Sequence, residues 1–191
     1  MKSVLRRNGL LRTAAGALIL AAAATASAQV VLPKIPKDAD ACKMLEDASR
    51  GSAVKAHAAY RNPASVRTSC EYTDTQDLLK AQWRITFGFT PRDSVARAQK
   101  SWQTDFDTWK RNEANGPSRI SVSGLHGYGV DDAFIVEIVD KDSATHQAKV
   151  IWRKGIYEGT LQMQAPSNSH LADAEDAEEV FKAIHWAVFG K

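Results

Sequence analysis

Apolar residues occupy every odd position from Leu79 to Phe89, with Lys80, Gln82, Arg84 and Thr86 among the positions between them. A period of two held over eleven residues predicts a strand with one buried and one wet face. An antiparallel sheet is the kind that can face water on one side. Directly downstream the period changes. Val95, Ala98, Trp102, Phe106 and Trp109 recur at spacings of three, four, four and three, which is a helical stripe turned toward a core. Thr90 is placed to cap this helix, Pro91 to open it, Asp93 to close a capping box, and Asn115-Gly116-Pro117 to end it. Such a stripe can also line a ligand pocket. Packing is the reading adopted, because an exposed ring forfeits roughly 1.5–3 kcal/mol.

The remaining elements follow by the same rules. Asp38 or Asp40 caps a short helix carrying Cys42, Leu45 and Ala48 on one face, ended by Gly51, and residues 52–59 have room for a further helical turn or two. Tyr60 to Thr68, with Asn62-Pro63, reads as loop. Cys70 and Tyr72 alternate with polar neighbours in a short strand, followed by a turn over Asp74 to Asp77. Ile120 and Val122 mark another strand, and Phe134 to Val139 a strong one. Ala148 to Arg153 and Ile156 to Gln164 form a hairpin through Lys154-Gly155. A last amphipathic helix places Leu171, Ala174, Ala177, Phe181, Ile184 and Val188 on one face, and its acidic first half complements the helix dipole. Strand runs with few helices predict an α+β fold: a twisted, mostly antiparallel sheet of five to six strands with two or three helices packed on it.

The first 28 residues alter the reading of charge. Lys2, Arg6, Arg7 and Arg12 precede an apolar run from Ala14 to Ala24, and Ala26-Ser27-Ala28 is a signal-peptidase box. Asn8-Gly9 after the arginine pair favours the ordinary secretory route over the twin-arginine one. Removal after Ala28 leaves a lead-in at 29–37 with Pro33 and Pro36, then one domain at 38–191. The leader holds four of the 25 Lys and Arg and none of the 22 Asp and Glu, so 21 basic residues face 22 acidic ones in the remainder. The basic pI therefore belongs to the leader, and the domain has no electrostatic footprint for nucleic acid. With no cysteine at the box, the expected product is a periplasmic protein without a stable membrane anchor. Its only two cysteines, Cys42 and Cys70, are expected to form a disulfide tying the first helix to the first strand. They lack the Cys-x-x-Cys spacing of a redox pair.

Cys42 near Leu45, Cys70-Glu71-Tyr72, the long helix and a Gly-rich turn into a strand together resemble a group of small exported bacterial domains of unknown function. Members carry a Val-x-Gly-Leu-Gly-Asp-x-Ala pattern, then a Lys-Gly hairpin and a C-terminal helix. Val122, Gly124, Leu125, Gly129, Asp132, Ala133, Lys154 and Gly155 match here, with His126, Gly127 and Tyr128 as extra residues. The resemblance implies a fold similar to PsbP, and it supplies no reaction.

Catalytic signatures are absent from the sequence. There is no Gly-x-Ser-x-Gly elbow, phosphate loop or His-Glu-x-x-His. The histidines at 57, 126, 146, 170 and 185 are scattered singly; His185, beside Ile184, reads as a half-buried packing residue, and His146 and His170 as exposed. One turn concentrates chemistry: Gly124 to Asp132, with His126, Tyr128, Asp131 and Asp132 beside three glycines. The leading reading is a non-enzymatic binding or interaction domain that takes an envelope protein or small ligand there, with no cofactor or metal. The competing reading is a small hydrolase or metal-binding enzyme using His126, Asp131 and Asp132. A third is an envelope assembly or stress-response accessory.

Overall fold

The computed structural model describes residues 40–49, 60–116, 118–139, 144–169 and 172–189, without side chains at 49 and 186–189. The leader, the lead-in, the helical turns expected over 52–59, His57, His170 and Leu171 lie outside those residues, and the side chain of Val188 does too.

Alternation along the strands gives the sheet two faces of different chemistry. Three helices, α1 (Ala41–Ser49), α2 (Val95–Asn115) and α3 (Ala174–Phe189), accompany seven strands among the described residues. These are β1 (Tyr60–Arg61), β2 (Ser69–Thr73), β3 (Arg84–Pro91), β4 (Arg119–Leu125), β5 (Asp132–Val139), β6 (Thr145–Lys154) and β7 (Tyr157–Pro166). The order across the sheet is β1-β2-β3-β7-β6-β5-β4, and every neighbouring pair is antiparallel. The α+β expectation holds. The strand count is seven rather than five to six, because Tyr60 and Arg61 pair with Thr73 and Tyr72 inside a stretch that reads as loop. Two exposed residues carry no alternation from which to read a strand.

One face packs on α1 and α3. Cys42 and Leu45 of α1, Phe181 and Ile184 of α3, and Phe87, Ile135, Val150, Trp152 and Leu161 of the strands are buried in one cluster there. Cys42 and Cys70 are disulfide-bonded, with Cα atoms 4.9 Å apart, and the bond joins α1 to β2 as expected. Trp152 lies across Gly159, its cross-strand neighbour, so closely that a Cβ at 159 would meet the indole at 2.2 Å. Glycine is required at that position by packing.

The other face carries α2. Trp102, Phe106 and Trp109 lie half-buried over Val122, Phe134, Val136 and Ile151, so the aromatic stripe does pack on the sheet. Phe134 meets both Trp102 and Phe106 edge-on, with ring centroids 5.5 and 5.2 Å apart.

Two local expectations shift. The strand expected from Leu79 begins only at Arg84, and Leu79 is 98% exposed. Asp77 wins that segment for a turn: its carboxylate accepts from Leu79 N at 3.1 Å and its carbonyl from Lys80 N at 2.9 Å. The long helix is capped by Ser94, whose side chain accepts from Arg97 N, rather than by Thr90. Thr90 and Pro91 instead extend β3 opposite Glu158 and Tyr157. A strand partner outcompetes a good capping sequence.

Candidate functional site: a polar cleft beside the long helix

On the face that carries α2, β4, β5 and the adjoining part of β6 present apolar side chains. The same face of β3 and β7 is polar: Arg84, Thr86 and Thr90 lie opposite Gln164, Gln162 and Glu158. The alternate residues of these two strands, such as Ile85, Phe87, Leu161 and Met163, are buried in the core on the opposite face. The apolar half requires a cover and the polar half does not. At the boundary is a cleft of about 330 Å³, lined by Thr86, Trp102, Asp105, Glu158 and Gln162 among others. That size falls within the range of small-molecule sites, roughly 300–1,000 Å³.

The cleft is lined by two acidic residues and one arginine, Asp105, Glu158 and Arg92. Arg92 Nε donates to Glu158 Oε2 at 2.7 Å, and Nη2, 2.7 Å from the same oxygen in the ion pair, donates to Ser101 Oγ at 3.3 Å. The other carboxylate oxygen, Oε1, is buried and has no hydrogen-bond partner among the described residues, and the same holds for the indole Nε1 of Trp102. Asp105, one helical turn on from Trp102, has its carboxyl raised above the ordinary value by desolvation first and by the Glu158 charge second. Arg92 and Lys149 pull it the other way. Lys149 on β6 is lowered by its own desolvation, and its ammonium lies 5.4 Å from the centre of the Trp109 ring.

The turn singled out in the sequence is built differently. Asp131 and Asp132 converge on Arg153 of β6, whose side chain is 8% exposed. Arg153 Nε donates to Asp132 Oδ2 at 2.8 Å and Nη1 to Asp131 Oδ2 at 3.1 Å. Asp131 also accepts from the Gly155 amide at 2.7 Å, which fastens this turn to the β6–β7 hairpin. Tyr128 donates its hydroxyl to Glu178 of α3 and sets its ring edge-on to Phe181. The Glu178 hydrogen bond is the main reason its pKa is raised. His126 is exposed beside Gly124. Gly127 and Gly129 have positive φ, 89° and 69°, which explains glycine at both positions. Thus both aspartates and the tyrosine bond within the fold, while the histidine remains at the surface. No group of three or more His, Cys, Asp and Glu is placed to hold a metal ion among the described residues.

The cleft escaped the sequence reading. Its signal was present in the alternate polar residues Glu158, Thr160, Gln162 and Gln164, readable as a wet strand face. What joins them to Trp102 and Asp105 is the pairing of β3 with β7, in which Pro91 meets Tyr157 and Arg84 meets Gln164, residues 66 to 80 apart in sequence. His185, expected to be half-buried, is fully buried, with its ring centre 4.8 Å from that of Trp152 and 4.2 Å from that of Phe181.

In comparisons with known proteins, no family model matches the chain, and no curated protein does. No described helix is long and apolar enough to cross a membrane.

Proposed function

We propose that this chain is a non-enzymatic binding domain of the bacterial periplasm, and that its ligand seats in the cleft between α2 and strands β3 and β7. The observation that carries the reading is the cleft itself, about 330 Å³, walled by Thr86, Thr160 and Gln162 on the polar face of β3 and β7 and by Trp102 and Asp105 of α2. Polar side chains gathered in a concave site of that size are suited to orient a small ligand by hydrogen bonds. The export leader read from the sequence and the Cys42–Cys70 bond support an oxidising compartment. The Gly124 to Asp132 turn supports the scaffold by tying α3 and the β6–β7 hairpin to the end of β4.

A fragment library screened by amide chemical-shift mapping tests the location. Binders are expected to shift Thr86, Gly88, Thr160 and the Trp102 indole. Hits confined to His126 and its neighbours, with the cleft signals unmoved, would refute this reading and favour the turn.

A further inference from the structure

We infer that the cleft takes a small organic monocation bearing a primary ammonium group, an inference that rests on the cleft being the binding site. Asp105 and Glu158 line the cleft together with one cation, Arg92. Arg92 is committed to Glu158, whose side chain is only 11% exposed, and its Nη2 also donates to Ser101. Asp105 is exposed, and no hydrogen bond or ion pair reaches it among the described residues. Lys149 neither lines the cleft nor bonds Asp105; its ammonium lies 5.4 Å from the centre of the Trp109 ring. The walls therefore carry one unmatched negative charge, on the carboxylate that a ligand can reach. An anion would meet that carboxylate with no free cation to hold it, and a neutral ligand would leave it uncompensated.

The reachable polar atoms select the kind of cation. Thr86, Thr160 and Gln162 are half-buried on the polar face of β3 and β7, and Ser69 and Thr90 are exposed beside them. The Gln162 amide nitrogen donates to Gln147 Oε1 at 3.2 Å, which leaves its carbonyl oxygen to accept. Hydroxyl, carbonyl and carboxylate oxygens all accept hydrogen bonds, and a primary ammonium brings three donors and no acceptor. A quaternary ammonium has no donor and is held by aromatic faces instead. Phe89 and Trp102 are the aromatic residues lining the cleft; Phe89 is buried in the core, and Trp102 gives a face to Phe106 with 7° between ring planes. A dication would exceed the single unmatched charge.

The volume of about 330 Å³ suits a small molecule. Its walls are set before binding: Thr86 lies opposite Gln162 and Gly88 opposite Thr160 on paired strands. Asp105 lies next to Phe106, whose ring meets Phe134 edge-on and so fixes that turn of α2 on the sheet. Groups held before binding lose little freedom on binding, so a single charge-assisted bond and a few neutral ones suffice to select the ligand.

The test titrates the ¹⁵N-labelled protein separately with aminopentanol, pentanediol and hydroxypentanoate, which share a chain and a hydroxyl and differ in charge. Aminopentanol is expected to move the Thr86, Gly88 and Thr160 amides in a saturable way. It should bind about tenfold or more tightly than the other two, the worth of one charge-assisted hydrogen bond. Asp105→Asn keeps the side-chain shape and should erase that advantage, weakening aminopentanol about tenfold and leaving pentanediol unchanged. Asp105 bonds nothing in the described fold, so the melting temperature of the variant should match that of the wild type. If pentanediol or hydroxypentanoate binds the cleft as tightly as aminopentanol, or if Asp105→Asn binds the amine at full strength, the ligand class is overturned and the location stands. Shifts by the amine as large at Glu175 and Glu179 of α3 as in the cleft would show only diffuse attraction and overturn the ligand class as well. If neither these probes nor any library fragment moves a cleft signal, class and location are both overturned.

Discussion

Acidification should destabilise this domain through a single buried imidazole. His185 sits on α3 with no exposed surface, between Trp152 and Phe181. Its pKa is lowered from 6.5 to about 3, by burial first and by the nearby Lys154 charge second. In the unfolded chain the imidazole takes its proton near 6.5, so below that pH the unfolded state binds more protons than the folded one. Stability therefore falls as pH drops from about 6.5 toward 3 and levels off below. Each pKa unit is worth about 1.4 kcal/mol, so the loss between neutrality and pH 4 is about 3 kcal/mol. Against a total stability of roughly 5–15 kcal/mol, that is a large fraction. Other groups titrate in the same range. The raised carboxyls of Asp105 and Asp176 work in the opposite direction, gaining stability as pH falls, while the lowered Glu113 loses it. These terms are common to the wild type and a His185→Leu variant, so their difference isolates the histidine. Urea titrations of both proteins at pH 7 and pH 4 should show the wild type losing about 3 kcal/mol more than the variant. Parallel losses in the two proteins would refute the reasoning.

Three further outcomes follow from packing, covalent linkage and edge protection. Gly159→Ala places a methyl group inside the Trp152 indole, so it should lower stability by at least about 1–3 kcal/mol and disturb near-ultraviolet circular dichroism; an unchanged denaturation midpoint would contradict that contact. Replacing both Cys42 and Cys70 with alanine opens a link across 28 residues and should lose about 3.5 kcal/mol in the chain-entropy model, while the denatured, unreduced wild type should show no titratable thiol. Strand β4 lies at the edge of the sheet, and α2 occupies its outer backbone: Lys110 donates to Val122 O and Glu113 accepts from Val122 N, both at 2.8 Å. Lys110→Ala with Glu113→Ala should free that edge and increase self-association in sedimentation velocity, and a double variant sedimenting like the wild type would show that the pair does not guard it.

How much of the molecule was legible in the chain depends on how far apart the deciding contacts lie. Periodicity is local, so the α2 stripe, the β5 strand, the β6–β7 hairpin and the acidic start of α3 could be read directly. The disulfide could be read as well, since two cysteines leave only one pairing. Local rules failed where a distant partner overrode them. Thr90 and Pro91 form a good helix start, yet β7 pairs with them as strand; Leu79 and Ala81 continue an alternation that no neighbouring strand extends to meet. Residues 60–61 become a strand only because Thr73 and Tyr72 lie opposite. The same distinction divides the two candidate sites. His126, Tyr128, Asp131 and Asp132 are contiguous enough to look like a site, but Arg153 and Glu178, far along the chain, bond three of them into the fold. Trp102, Asp105 and Glu158 look unremarkable in sequence and share a cleft because β3 pairs with β7 and α2 lies beside their polar face. Residue pattern determined which faces had to be buried, because the cost of exposing apolar surface attaches to each side chain alone. Tertiary structure decided what covers each face, because pairing register and helix placement depend on all the strands together.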